Sequence, residues 1–179
     1  MMNFLNRIFA AKAPSCIPAL YGVIMTQARR GDFYGEAGLA DTFENRFEVL
    51  ALHMFLLLNR LKDDGLQGRD LSQALVDYMV ADLDRTCREM GVGDVGVAKR
   101  MKTFMEHFYG RLQAYENALC HEDKNEILRA LDKNLLASLD TDLNQLARFR
   151  DYLFRQKAHL AGLSINDLQK GFLSFSNEG

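Results

Sequence analysis

Proline occurs only twice in this chain of 179 residues, at Pro14 and Pro18. Proline breaks a helix from within because it lacks a backbone N–H, so no residue after position 18 interrupts a helix in this way. Apolar residues then recur at steps of three and four, without the sustained two-residue alternation of a strand. We predict an all-α fold, a single-domain bundle of six or seven helices near residues 17–30, 41–61, 70–90, 94–119, 123–138, 141–161 and 165–174.

The segment that follows Asp41 is the most apolar of these helices. Its first residues, Asp41-Thr42-Phe43-Glu44, have the composition of a helix N-cap. Beyond the cap, apolar side chains cover nearly the whole circumference: Phe43, Phe47, Val49, Leu50, Leu52, Met54, Leu56, Leu57, Leu58 and Leu61. A helix at the surface has only one apolar stripe, so we expect this helix to be the central, buried one.

The composition, 48% hydrophobic and 26% charged, supports one sizeable core in a chain of this length. We assign residues 14–179 to one helical domain and residues 1–13 to an N-terminal segment, a short amphipathic helix. One interpretation is that this segment contacts a membrane surface or a partner. The other is that it frays or packs on the core of its own chain. The longest apolar run, residues 47–58, is well short of the ~20 residues that cross a bilayer. Three widely spaced cysteines without C-x-x-C are typical of free thiols in a reducing compartment.

Residues 91–96 read Gly-Val-Gly-Asp-Val-Gly, which matches the G-x-G-x-x-G pattern of dinucleotide-binding turns. That turn follows a strand, whereas residues 84–90 are predicted to be helical, and Asp94 would place a carboxylate against phosphate oxygens. We therefore interpret the stretch as a helix joint that binds no nucleotide. Gly91 would end one helix in a left-handed conformation, Gly93 and Asp94 would begin the next, and Gly96 would allow a neighbouring helix to approach closely.

The sequence offers no recognisable reaction centre. None of the four histidines has glutamate three residues before it, so the Glu-x-x-His pattern of di-iron bundles is absent, and no G-x-S-x-G motif occurs. His53 lies on the apolar helix, where a hydrogen-bonded core histidine is the favoured interpretation and a haem ligand the alternative. We predict no catalytic residue, metal or cofactor. A haem- or lipophile-binding bundle and a helical enzyme of unknown chemistry remain the alternatives.

Charged residues on otherwise apolar segments are candidates for a polar site. Asp77, Asp84 and Arg88 share one helix face at intervals of seven and four residues, and Asp84 can pair with Arg88. Asp41 and Arg46 are expected to meet this set across a helix interface. The set would form either an internal network or the polar lining of a partner site.

A basic patch is predicted at Lys99, Arg100, Lys102 and Arg111, beside Tyr109. Such a patch could dock RNA or an acidic protein, although Glu106 would neutralise part of it. The formal net charge of −2 gives no overall attraction to nucleic acid, so we expect no DNA partner.

Several of these residues, in their order and spacing, resemble the ubiquinol-cytochrome c chaperone family. The resemblance covers roughly residues 18–150 and is most specific at Arg88-Glu89-Met90-Gly91-Val92-Gly93-Asp94. One departure is Asn45, where we expect the family to carry glycine. The matching positions, for which partner binding is the hypothesis, are Asp41, Arg46, His53, Asp77, Asp84, Arg88, Glu89, Gly93, Asp94 and Arg111.

The resemblance implies an assembly factor for the cytochrome bc1 complex, not an enzyme, acting on newly made cytochrome b or an assembly intermediate. Mitochondrial members of the family work with a small partner protein and associate with the ribosome. Because no long targeting extension is present, we expect a bacterial protein in the cytoplasm or at the inner face of the membrane. A cytochrome b segment is apolar, and some of the eight methionines and twelve phenylalanines could line a groove between helices that shields it.

Overall fold

A computed structural model describes residues 14–35, 38–120, 129–131 and 143–176 of the chain. Its helices are α1 (Ile17–Ala28), α2 (Phe43–Leu61), α3 (Gly65–Glu89), α4 (Asp94–Cys120), α5 (Leu143–Ala161) and α6 (Ile165–Gln169). Short 3-10 turns span Gly31–Phe33 and Lys62–Asp64, and residues 129–131 are also helical. The described residues contain a single isolated bridge, between Tyr34 and Leu39, and no strand. The all-α prediction is confirmed.

Helix α2 is the centre of the bundle, as its sequence predicted. Every residue from Phe47 to Leu58 is buried, and α2 packs against α1, α3, α4 and α5. The Thr42 side chain caps the helix by accepting a hydrogen bond from the Asn45 N–H at 3.2 Å. The Asn45 side chain donates to the Ala40 carbonyl at 2.8 Å, so asparagine fits this turn without glycine.

The prediction for the start of α3 was wrong. The helix begins at Gly65, five residues before the predicted start near Asp70, and Gly65 has a φ of 59°. Gly68 therefore lies inside the first turn of α3. A Cβ at Gly68 would lie 1.9 Å from the Leu61 carbonyl oxygen, so the tight connection between α2 and α3 requires glycine there.

The C-terminal segment ends differently from the prediction. Helix α6 stops at Gln169 rather than near residue 174, and Gly171 follows with a φ of 86°. The segment then turns back onto the core. Phe175 is buried, with its ring centroid 5.2 Å from that of His53. The Gln156 side chain makes two hydrogen bonds to the backbone of Ser176 in the same segment. It donates to the Ser176 carbonyl at 2.9 Å and accepts from the Ser176 N–H at 2.8 Å.

Other predictions concern the thiols, the membrane and segments that are not described. Cys16 and Cys87 are free thiols, as predicted, and both are buried. Within the described ranges, no helix has both the length and the apolarity that a membrane span requires. The predicted N-terminal helix at residues 1–13 lies outside the described residues, as does the predicted helix at 123–138 except for residues 129–131.

Candidate functional site

The Gly91–Gly96 stretch joins two helices, as predicted. Gly91 has a φ of 79°, its N–H donates to the Arg88 carbonyl at 2.9 Å, and the Val92 N–H donates to the Cys87 carbonyl at 3.1 Å. This pair of hydrogen bonds is the Schellman motif, which ends helices at a left-handed glycine. Gly93 opens α4, because its carbonyl accepts from the Val97 N–H at 2.9 Å.

The role predicted for Gly96 was wrong. A Cβ at Gly96 would lie 2.8 Å from Cγ1 of Val92 in the joint itself, and no atom of a neighbouring helix among the described residues comes as near. Glycine at this position makes space for the Val92 side chain of the joint, not for a helix that packs against it.

His53 is a hydrogen-bonded core histidine. It is fully buried, with Nδ1 2.7 Å from the Val49 carbonyl oxygen and Nε2 2.6 Å from the Tyr152 hydroxyl. A carbonyl can only accept, so Nδ1 carries the proton and Nε2 accepts from Tyr152. The Tyr152 oxygen in turn accepts from the Gln27 side chain at 3.0 Å.

Burial lowers the pKa of His53 to about 4, so the ring is neutral at pH 7. Burial also raises the pKa of Tyr152 to about 12, which keeps its hydroxyl a donor. Since both ring nitrogens are engaged, neither is available to a haem iron in this arrangement, and the geometry argues against the haem alternative. Gln27 and Tyr152 were not foreseen, because no spacing rule relates them to His53 along the chain.

Arg111 does not belong to the basic patch. Its guanidinium reaches α2 and makes two hydrogen bonds to Glu48, of 2.7 and 2.6 Å. The two side chains are 16% and 10% exposed, so this is a largely buried ion pair that ties α4 to α2. Burial raises the pKa of the Glu48 carboxyl, while the guanidinium of Arg111 opposes that rise. Glu48 was not among the predicted site residues, although a charged residue inside an apolar helix was the available signal.

The remainder of the basic patch is solvated. Lys99, Arg100 and Lys102 are exposed on α4, and Glu106 lies 3.8 Å from Lys102, as the spacing predicted.

The charged set predicted to meet across a helix interface is instead divided into separate clusters. Arg88 pairs with Asp84 at 2.7 Å and with Asp94 at the joint, so these three carboxylate and guanidinium groups do lie together. Asp77 accepts from Gln73 at 2.8 Å on the same helix.

The two remaining members of that set pair with each other. Arg46 binds both carboxylate oxygens of Asp41, at 2.6 and 2.9 Å. The prediction that Asp41 and Arg46 contact the Asp77, Asp84 and Arg88 face was wrong, because Arg46 turns back towards the residues that precede its own helix. The hydrogen bond from Arg46 lowers the pKa of Asp41. Glu89, the remaining acidic motif position, lies 3.9 Å from Arg85 on the surface.

A pocket between α1, α2 and α3 brings apolar and charged groups together, and we call it the α1–α2–α3 pocket. It encloses about 170 Å³ and is partly open to solvent. Its lining consists of Met25, Ala28, Arg29, Phe43, Arg46, Phe47, Leu50, Asp82, Leu83 and Thr86. Arg46 is therefore the one predicted site residue that lines it, and Arg29 and Asp82 were missed because they are unremarkable single charges in the sequence.

The described part of the chain holds no group of three or more His, Cys, Asp or Glu side chains that could bind a metal ion. The buried side chains of His53 and Glu48 each join α2 to another helix, through Tyr152 of α5 and Arg111 of α4. What the arrangement offers to another molecule is a half-open apolar pocket with charges at its rim. The fold and site thus define an all-α bundle whose described part offers an apolar pocket for binding another molecule.

Known proteins identify the family. A model of the family described as Ubiquinol-cytochrome C chaperone matches residues 36–175. Ubiquinol-cytochrome-c reductase complex assembly factor 1 of Xenopus laevis is 28% identical over 137 residues, 76% of this chain and 68% of that protein. The Mus musculus protein of the same name is 26% identical over 137 residues, which cover 46% of its length.

A solved structure agrees with these matches. The crystal structure of the Cbp3 homolog from Brucella abortus superposes with a TM-score of 0.80 at 32% identity, covering 99% of this chain and 97% of that one. The chain belongs to the ubiquinol-cytochrome c chaperone family. The family resemblance inferred from the motif residues is confirmed, and the family is one of chaperones and assembly factors, not of enzymes.

Proposed function

We propose that this protein is an assembly factor for the ubiquinol-cytochrome c reductase complex that binds newly made cytochrome b and keeps it competent for assembly. The observation that carries the proposal is the family match over residues 36–175, together with relatives named as assembly factors of this complex. The Brucella abortus neighbour supports it, because the likeness extends over nearly the whole of both chains.

The α1–α2–α3 pocket is the site where we place client binding. A membrane segment awaiting assembly exposes apolar side chains to water, and the pocket offers Met25, Phe43, Phe47, Leu50 and Leu83 as apolar surface. Methionine and phenylalanine suit such a site since the first adapts its shape and the second contributes a large contact area. Arg46 at the rim would help fix the orientation of the bound segment.

Deletion of the gene tests the function directly. In a host that respires through this complex, we expect assembled reductase on native gels to fall while cytochrome b transcripts persist. Restoring the wild-type gene should restore the complex, and photo-crosslinking from Thr86, at the pocket, should capture cytochrome b. A deletion strain with normal reductase and no crosslinked cytochrome b would refute the proposal.

We also propose that the protein acts in the bacterial cytoplasm or at the inner face of the membrane, close to where cytochrome b is synthesised. A small partner protein and the ribosome are the further contacts suggested by the family resemblance. Cell fractionation with and without translating ribosomes is the corresponding measurement.

A further inference from the structure

We propose that the α1–α2–α3 pocket selects an aromatic side chain that has an acidic residue within one helical turn of it on a partner polypeptide. The inference rests on the proposed function, because it specifies which client segments the pocket would choose.

The size of the pocket indicates a single ring. An apolar cavity of about 150 Å³ holds one benzene molecule, and this pocket encloses about 170 Å³. Its inner wall is formed by Ala28, Phe47, Leu50 and Leu83, all buried, while Met25 and Phe43 are half-buried towards the opening. A leucine or valine would leave part of this volume empty, whereas an aromatic ring would fill it and make edge or face contacts with the two phenylalanines.

The charges of the lining indicate the neighbouring residue. Asp82 is engaged by the Tyr21 hydroxyl at 3.1 Å and by Arg85, and Arg46 is engaged by Asp41 through two hydrogen bonds. Arg29 differs, because it is exposed at the pocket and none of the described carboxylates lies within ion-pair distance of it. A carboxylate on the partner would be attracted to the exposed Arg29 guanidinium, while a lysine there would be repelled.

The composition of the chain allows a direct measurement. The protein contains no tryptophan, so a tryptophan in a peptide can be excited alone and its emission reports burial of the indole ring. We would titrate the full chain into helical peptides that carry Trp with Asp four residues away, or Trp with Lys there. The acidic peptide should show a saturable blue shift and bind about tenfold more tightly than the basic one. An unlabelled Ala-for-Trp version of the acidic peptide should compete poorly.

Variants test the charge preference and the binding of the aromatic ring separately. Arg29→Glu should abolish or reverse the preference for the acidic peptide, Arg29→Lys should retain it, and Arg100→Glu, exposed on α4 outside the pocket, should leave it unchanged. Thr86→Phe, which adds a ring at the half-buried rim, should block both peptides, and thermal unfolding would verify that each variant is folded. Equal affinity for the two peptides, or an Arg29→Glu protein that keeps its preference, would overturn the inference.

The same variants distinguish this inference from the proposed function. If Arg29→Glu keeps its peptide preference while it still crosslinks cytochrome b and supports reductase assembly, the selection rule is wrong and the proposed function stands. If peptide selection is observed while deletion leaves reductase levels normal, the pocket recognises such segments in another client and the proposed function is wrong.

Discussion

Burial keeps the ring of His53 uncharged, and this makes the stability of the fold depend on pH. The ring is fully enclosed, its Nδ1–H donates to the Val49 carbonyl, and its Nε2 accepts from Tyr152. A proton on Nε2 would both remove that acceptor and place a charge in the core. The folded protein therefore resists protonation until the pH approaches about 4, whereas the unfolded chain takes up the proton near 6.5.

This difference predicts a stability change with pH. Because the folded-state pKa is depressed, the neutral ring contributes stability that is present above pH 6.5 and is lost as the pH falls towards 4. His53→Gln keeps an acceptor for Tyr152 but does not titrate. We expect the fall in the free energy of unfolding between pH 7 and pH 5 to be smaller in this variant by about 2 kcal/mol. Urea unfolding at both pH values measures it. An unchanged slope in His53→Gln would contradict the assignment.

The sequence predicted that His53 would be buried and hydrogen-bonded, since it lies on a helix that is apolar nearly all round. It could not identify Tyr152 or Gln27, because those contacts depend on how α1 and α5 pack against α2. The pairing of Glu48 with Arg111 was missed for the same reason. Local spacing does predict pairs within a helix, as Asp84 with Arg88 shows.

At the scale of elements, the ends of helices are determined by individual glycines. Gly91 ends α3 in a left-handed conformation and was predicted from its place after a helical run. The requirement for Gly68 could not be predicted in the same way. Glycine is needed in the first turn of α3 because the Leu61 carbonyl lies so close, and no local sequence pattern indicates that contact. A helix pattern thus fixes the existence of an element more firmly than its limits.

The joint between α3 and α4 can be tested with a pair of glycine substitutions. Gly91→Val should lower the free energy of unfolding by ~1–3 kcal/mol, since a β-branched residue is strained at a φ of 79°. Gly110→Ala lies within α4, where an added Cβ meets no described atom within 4 Å, and should raise stability by about 0.5–1 kcal/mol. Chemical denaturation of both proteins gives the comparison. Equal effects of the same sign would show that backbone conformation is not the cause.

For the molecule as a whole, the ion pair between Glu48 and Arg111 connects the central helix to α4. Removal of one member of a largely buried pair leaves the other charge without its partner, which costs more than the pair itself contributes. We expect Arg111→Met to destabilise the protein by about 3–5 kcal/mol, and the double variant with Glu48→Leu to recover a substantial part of that loss.

The exposed pair of Arg46 and Asp41 provides the matched control, with side chains 47% and 52% exposed. Arg46→Met should cost less than about 1 kcal/mol. A double-mutant cycle of Glu48→Leu and Arg111→Met, measured by denaturant unfolding, gives the coupling energy of the buried pair. Additive effects of Glu48→Leu and Arg111→Met would mean that the two groups are not coupled in solution.

The fastening of residues 171–176 has a consequence for the timing of folding during synthesis. Phe175 packs on the ring of His53, a residue that the ribosome adds ~120 residues earlier, and Gln156 hydrogen-bonds to the backbone of Ser176. At a synthesis rate of about 5–20 residues per second, this contact with the central helix forms on the order of ten seconds after His53 has been added. During that interval the contact between Phe175 and His53 is absent, so the core around His53 closes only after residues 171–176 have been made.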